Sequence, residues 1–144
     1  MRFTTLFIAL AMASCIANES SECEPLDVES PSGHHNEGRS CIEGGCHDGG
    51  TPQAPQWTAA GTLFRDRAGS SPLAGGTIEL VDAQGVTVTL VSAQNGNFWT
   101  AQPLVFPLTS KASGCSESRT MPTPTPLGSC NGAGCHATKR IHLP

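Results

Sequence analysis

Two short segments carry the residue types that do chemistry. They are Cys41-Ile-Glu-Gly-Gly-Cys46-His47 and Cys130-Asn-Gly-Ala-Gly-Cys135-His136. Each reads Cys, four residues, Cys, His. Each follows a serine, Ser40 or Ser129, and each spacer ends in Gly. Thiolate sulfur is a nucleophile and a soft ligand, and neutral imidazole is a common metal ligand. The related run C-x-x-C-H is the haem c attachment signature. There each sulfur bonds a porphyrin vinyl carbon as a thioether, and the adjacent His gives a ring nitrogen to the iron. The spacers here are two residues longer, so the extra residues must bulge for both sulfurs to reach one edge of the ring. Gly44, Gly45, Gly132 and Gly134 suit such a bulge, because glycine reaches positive φ at no steric cost. The reading therefore places two covalently attached haem c groups on Cys41, Cys46, Cys130 and Cys135. His47 and His136 go to their irons.

The other histidines lie close by. His34 and His35 precede the first motif, and His142 follows the second. Single histidines in loops are ordinarily solvated. All five histidines here lie in, or within about ten residues of, a Cys-x4-Cys-His run. They are candidate sixth ligands: His34 or His35 for each haem, which would bring the haems close together, and His142 as a rival for the second. Met121 is a weaker candidate, and would raise the reduction potential relative to two histidines. Arg39, Lys139 and Arg140 lie near the motifs and suit haem propionates; plain solubilising charge explains them as well.

The seven cysteines admit other divisions. Cys41–Cys46 and Cys130–Cys135 could be small-loop disulfides stapling a secreted domain. The two motifs could instead converge as Cys/His ligands of zinc or copper. Neither alternative explains a His directly after the second Cys in both copies. Cys23 and Cys115 remain over on the haem reading, as a disulfide or as free thiols.

The elements that must hold these motifs come from a chain of 144 residues, with 16 Gly, 11 Pro and no Tyr. That composition disfavours long helices. The formal charge of −4 argues against nucleic acid as a partner. Acidic residues crowd the early part, from Glu19 to Asp48, with Arg39 as the lone cation there. This run reads as a solvated arm, or as a surface for docking a basic redox partner.

Met1 to about Ser14 reads as an export signal, with Arg2 before the apolar run Leu6–Ala13. The run is too short to span a bilayer, which takes roughly 20 residues. Met12-Ala-Ser-Cys15 resembles a bacterial lipobox, which implies lipidation of Cys15; cleavage before a plain Cys15 thiol is the alternative. Residues 15–33 read as a polar, disordered tether, and 34–56 as the first haem-binding segment. Export places the chain in the periplasm or on an outer face, held to a membrane.

Residues 57–112 alternate in strand fashion. Strands are expected over Trp57–Phe64, Thr77–Asp82, Val86–Val91 and from Asn97 to Thr100. One or two more are expected in Leu104–Thr109 and Lys111–Cys115. Turns are expected at Ala83-Gln-Gly85 and Gln94-Asn-Gly96. Residues 113–144 read as a Pro-punctuated loop and the second haem-binding segment. The fold class is all-β, a sandwich flanked by loop-rich segments.

Ala60-Gly-Thr-Leu-Phe64, Pro72-Leu-Ala-Gly-Gly-Thr-Ile-Glu-Leu80 and Asn95-Gly-Asn-Phe98 resemble the carboxypeptidase regulatory-like domain. That resemblance implies a small Greek-key, transthyretin-like β-sandwich without catalytic residues. With residues 34–47 and 129–142 added, the whole chain resembles exported bacterial multihaem c-type cytochromes. This resemblance implies an electron carrier with redox partner proteins, and no enzyme. The other function class is a disulfide-stapled lipoprotein that binds or adheres through its sandwich.

Overall fold

The computed structural model describes residues 35–114 and 116–143. The expected export signal, Cys15, the tether, Cys23, His34 and Cys115 lie outside these residues.

Seven strands form: β1 Ala59–Phe64, β2 Thr77–Val81, β3 Thr87–Val91, β4 Asn97–Thr100, β5 Thr109–Gly114, β6 Glu117–Thr120 and β7 Ile141–His142. They make one sheet in the order β4-β1-β7 and another in the order β3-β2-β5-β6. The all-β expectation holds, and among the described residues there is no helix. No helix long and apolar enough to cross a membrane is present among them.

The core lies between the sheets. Leu63 and Phe98 from one sheet meet Ile78, Leu80 and Ala112 from the other, with Leu73, Leu108 and Leu143 closing the ends. Period-two alternation sets which side chains enter. In β3, Val88 is buried while Thr87 and Thr89 are exposed. Two turns stand where the sequence places them: Gly85 N donates to Asp82 O at 3.0 Å and Gly96 N to Ala93 O at 2.8 Å. Both glycines hold positive φ, 83° and 76°, which a residue with a Cβ resists.

Two stretches differ from expectation. Leu104–Leu108 forms no strand; Pro107 lacks the N–H that a ladder needs, and within the stretch Leu108 alone forms a β-bridge, with Thr125, while Val105 O accepts from Ala83 N at 2.8 Å. Glu117–Thr120, read as loop, is β6, an edge strand on β5. All four of its residues are exposed, so no apolar alternation marks it. It forms because the β5 backbone offers a free edge.

β1 is buried along its whole length, because both of its faces are covered. Ala59 and Leu63 enter the core, and the flanking segments pack over the rest. One edge of β1 carries an interrupted partner. Ala60 pairs in parallel with Ser129, and Leu63 and Phe64 pair in parallel with Ile141 and His142 of β7. The second motif is the excursion between those two pieces of one broken strand.

Candidate functional site

The two motifs adopt the same closed loop. His47 N donates to Cys41 O at 3.1 Å, and His136 N donates to Cys130 O at 3.0 Å. Gly45 and Gly134, equivalent in the two copies, hold φ of 77° and 82°. The positive-φ turn of each spacer thus falls at the same glycine.

Each loop orients its histidine through a backbone carbonyl. His47 Nδ1 lies 2.8 Å from Pro55 O, and His136 Nδ1 lies 2.6 Å from Lys139 O. His142 Nδ1 lies 3.0 Å from Arg140 O. A carbonyl only accepts, so Nδ1 carries a proton in each ring, and in the neutral tautomer that this contact favours Nε2 keeps the lone pair. That is the arrangement by which proteins prepare imidazole for a metal.

His47 is buried, and its ring stacks on Trp57 with centroids 3.5 Å apart and planes 3° from parallel. Trp57 in turn stacks on Trp99 at 5.3 Å. The His35 ring stands 6.4 Å from that of His47. The two rings are stacked, with planes 24° apart.

Each motif borders a cavity. The first, of about 520 Å³, is lined by Cys41, Cys46, His47 and His35, with Trp57 and Trp99. The second, of about 490 Å³, is lined by Cys130, Cys135, His136 and His142, with Met121 also on its wall. Its apolar lining includes Ile78, Leu80 and Ile141, and its cations include Lys111, Arg119 and Lys139. Phe98 and Arg140 line both cavities. The sequence candidates among the described residues therefore divide into two sets, one on each cavity. Each set has two thiols, the motif histidine and a second histidine. No three His, Cys, Asp or Glu side chains among the described residues converge as ligands of one ion.

The loops also touch. Ser40 Oγ and Ser129 Oγ share a hydrogen bond of 2.7 Å. Glu43 in the first spacer accepts from Ala133 N in the second at 2.8 Å. Its carboxylate covers Gly132, where a Cβ would collide with it.

The four thiols are free but differ in environment. Desolvation, then the neighbouring Cys46, raises the Cys41 thiol. Desolvation, then Cys135 and Cys41, pushes Cys130 up to about 12. Thiols held protonated in this way are poor nucleophiles until a base or an acceptor group removes the proton.

Sequence reasoning missed the node that joins these parts. Thr62, fully buried in β1, accepts from Gly38 N at 2.9 Å. It donates to Asn97 Oδ1 at 2.7 Å, and its own N–H donates to Asn131 Oδ1 at 2.8 Å. Asn97 Nδ2 donates onward to His35 O at 3.2 Å. The available signal was a threonine inside the otherwise apolar run Ala-Ala-Gly-Thr-Leu-Phe. Arg140 adds a second tie, donating to Gly38 O with its guanidinium 5.8 Å from the Phe64 ring centroid.

No protein-family model, no curated protein and no solved structure matches the chain.

Proposed function

We propose that this chain is an exported, membrane-anchored di-haem c-type cytochrome that carries electrons and catalyses no substrate chemistry. One observation carries the reading. Two loops of identical closure each set two thiols and an Nδ1-anchored histidine beside a cavity.

The residues fit the group. Cys41 and Cys46 would hold the first haem and Cys130 and Cys135 the second, each as a pair of thioethers. His47 and His136 would give Nε2 to the irons, with Pro55 O and Lys139 O fixing the ring orientations. His35, on the wall of the same cavity as His47, would take the sixth position of the first site. His142 lies on the second cavity with its Nε2 free. The apolar floor and cationic lining of the second cavity match an amphipathic ring that bears carboxylates. When bound, each haem iron supplies one-electron chemistry by changing between ferric and ferrous. The chain's own residues would hold the rings and keep water from them, with His47 and His35 ligating the first iron and His136 and His142 the second, which would leave no open site for a substrate.

Phe98 and Arg140 line both cavities, so groups held in them would be neighbours, placed for electron exchange. The acidic stretch before the first motif would face a basic redox partner. Cys15, as a lipidated N-terminus, would hold the protein at a membrane in the periplasm or on an outer face.

The testing experiment is a pyridine haemochrome spectrum with intact mass after denaturation, on protein made in a host with cytochrome c maturation. A c-type spectrum and retained mass of two haems is expected. No haem, with loss of two hydrogens per Cys pair, would turn the reading to a disulfide-stapled binding module. Cys46 lies near enough to Cys41 to raise its thiol, and that proximity makes this the second reading.

A further inference from the structure

We infer that Asn131 is a binding residue of the first site, although it belongs to the second motif. Its Nδ2 donates a hydrogen bond to a carboxylate oxygen of the group held beside Cys41, Cys46 and His47. This inference rests on the haem reading above, in which the carboxylate is a propionate.

Asn131 is 3% exposed. Its Oδ1 accepts the β1 amide of Thr62 at 2.8 Å. That contact fixes which way the amide points, since the reversed amide would set NH₂ against N–H. Nδ2 is then buried without a hydrogen-bond partner, the only such side-chain nitrogen or oxygen among the described residues. An unmet buried donor costs about 1–3 kcal/mol, so its persistence points to an acceptor that binds there. Rotation would relieve it only by giving up the bond from Thr62 N to Oδ1.

Asn131 lines the first cavity. Arg39 and Arg140 line it too, and no Asp or Glu does. Arg140 gives one N–H to Gly38 O and keeps others, since a guanidinium has five. Two cations and a neutral donor with no opposing carboxylate suit an anionic oxygen. The consequence is cross-dependence: the second motif supplies part of the first motif's binding set. Glu43, reaching from the first spacer to Ala133 N, shows the loops interlocking in the opposite direction.

The test uses the haem-loaded full chain and follows both reduction potentials against pH, with haem counted by haemochrome. Asn131→Leu removes the donor without adding charge. Asn131→Asp keeps the acceptor for Thr62 N and so protects folding. Asn36→Asp is the control, adding the same charge on the same cavity lining while leaving Asn131 intact. A donor to a carboxylate holds its proton affinity down, so its loss raises that affinity about tenfold. The pH-dependent segment of one couple is expected to move upward in both Asn131 variants and to move much less in Asn36→Asp, whose added charge is exposed and screened by solvent. Folded Asn131 variants with two haems and unmoved pH profiles overturn the inference. So does an equal movement in Asn36→Asp. Absence of haem from the wild type overturns the cytochrome reading instead, and the haem count reveals it before any variant is compared.

Discussion

The two motifs are near copies in sequence and loop closure, yet the fold supports them in different ways. The first rides on irregular chain ahead of β1 and is held through side chains. His47 lies on Trp57, and its carbonyl accepts Trp57 N at 2.9 Å. The second is inserted into a sheet edge. Cys130 N donates to Ala60 O and Ala60 N donates to Gly128 O, both at 2.9 Å. A Cβ on Gly128 would strike Thr58 O, and one on Gly61 would press Cys130 Cβ, so backbone meets backbone there. The difference teaches that a local loop can be reproduced wherever the chain supplies its glycine, while its environment is set by what it packs on. Side-chain support leaves Cys46 exposed where its counterpart Cys135 is half-buried; of the half-buried first cysteines, Cys41 and Cys130, only Cys130 is packed against the core by the sheet.

The largest expected contrast is in thiol chemistry. In reduced, haem-free protein at pH 8, the Cys130 thiolate fraction is roughly three orders of magnitude below that of an ordinary thiol near 8.5, given its shift to about 12. Timed alkylation with mass mapping is expected to label Cys46 early and Cys130 last. The same shift sets a pH dependence. The folded thiol keeps its proton where the unfolded one has lost it, so stability falls as pH rises above about 8.5. The slope approaches roughly 1.4 kcal/mol per pH unit for one such thiol, readable in denaturant melts. Stability that stays flat from pH 8 to 10 would remove the asymmetry.

Thr62→Val probes what the two regions share. It strands Gly38 N and Asn97 Oδ1 and should cost about 3 kcal/mol, seen as a lower denaturation midpoint. Both motifs should loosen together in hydrogen exchange; loosening of one alone would mean that the node serves a single flank.

Trp57→Ala sharpens the comparison from the other side. Losing the stack under His47 should cost about 1–2 kcal/mol. Exchange should rise across residues 41–58 while 128–136 keeps its protection. Ser40→Ala should have the smallest effect, about 1 kcal/mol. It removes the Ser129 contact and the acceptor for Glu43 N. A double cycle with Ser129→Ala tests whether the loops are coupled.

Legibility in the sequence followed periodicity and repetition. β2 and β3 were plain from alternating Thr, Val, Ile and Leu, and the turns from Gly85 and Gly96. β6 was hidden, because Glu-Ser-Arg-Thr has no apolar face and only a vacant edge on β5 recruits it. β7 was hidden because a two-residue strand has no period. Pro107 was a visible warning against a strand over Leu104–Leu108.

The sequence by itself determined the two Cys-x4-Cys-His loops, the glycine each needs, and the strands whose apolar residues recur with period two. These are local matters, fixed by φ, by spacing and by which side chains avoid water. Only the tertiary structure decided that the motifs meet at Ser40 and Ser129, and that His35 faces His47 while His142 falls to the second cavity. It also decided that Thr62 and Asn131 bind the flanks to β1. These partners lie 24 to 89 residues apart, and no periodicity spans such distances. They meet because burying β1 on both faces leaves its polar groups no water to bond, and the flanking loops supply the partners.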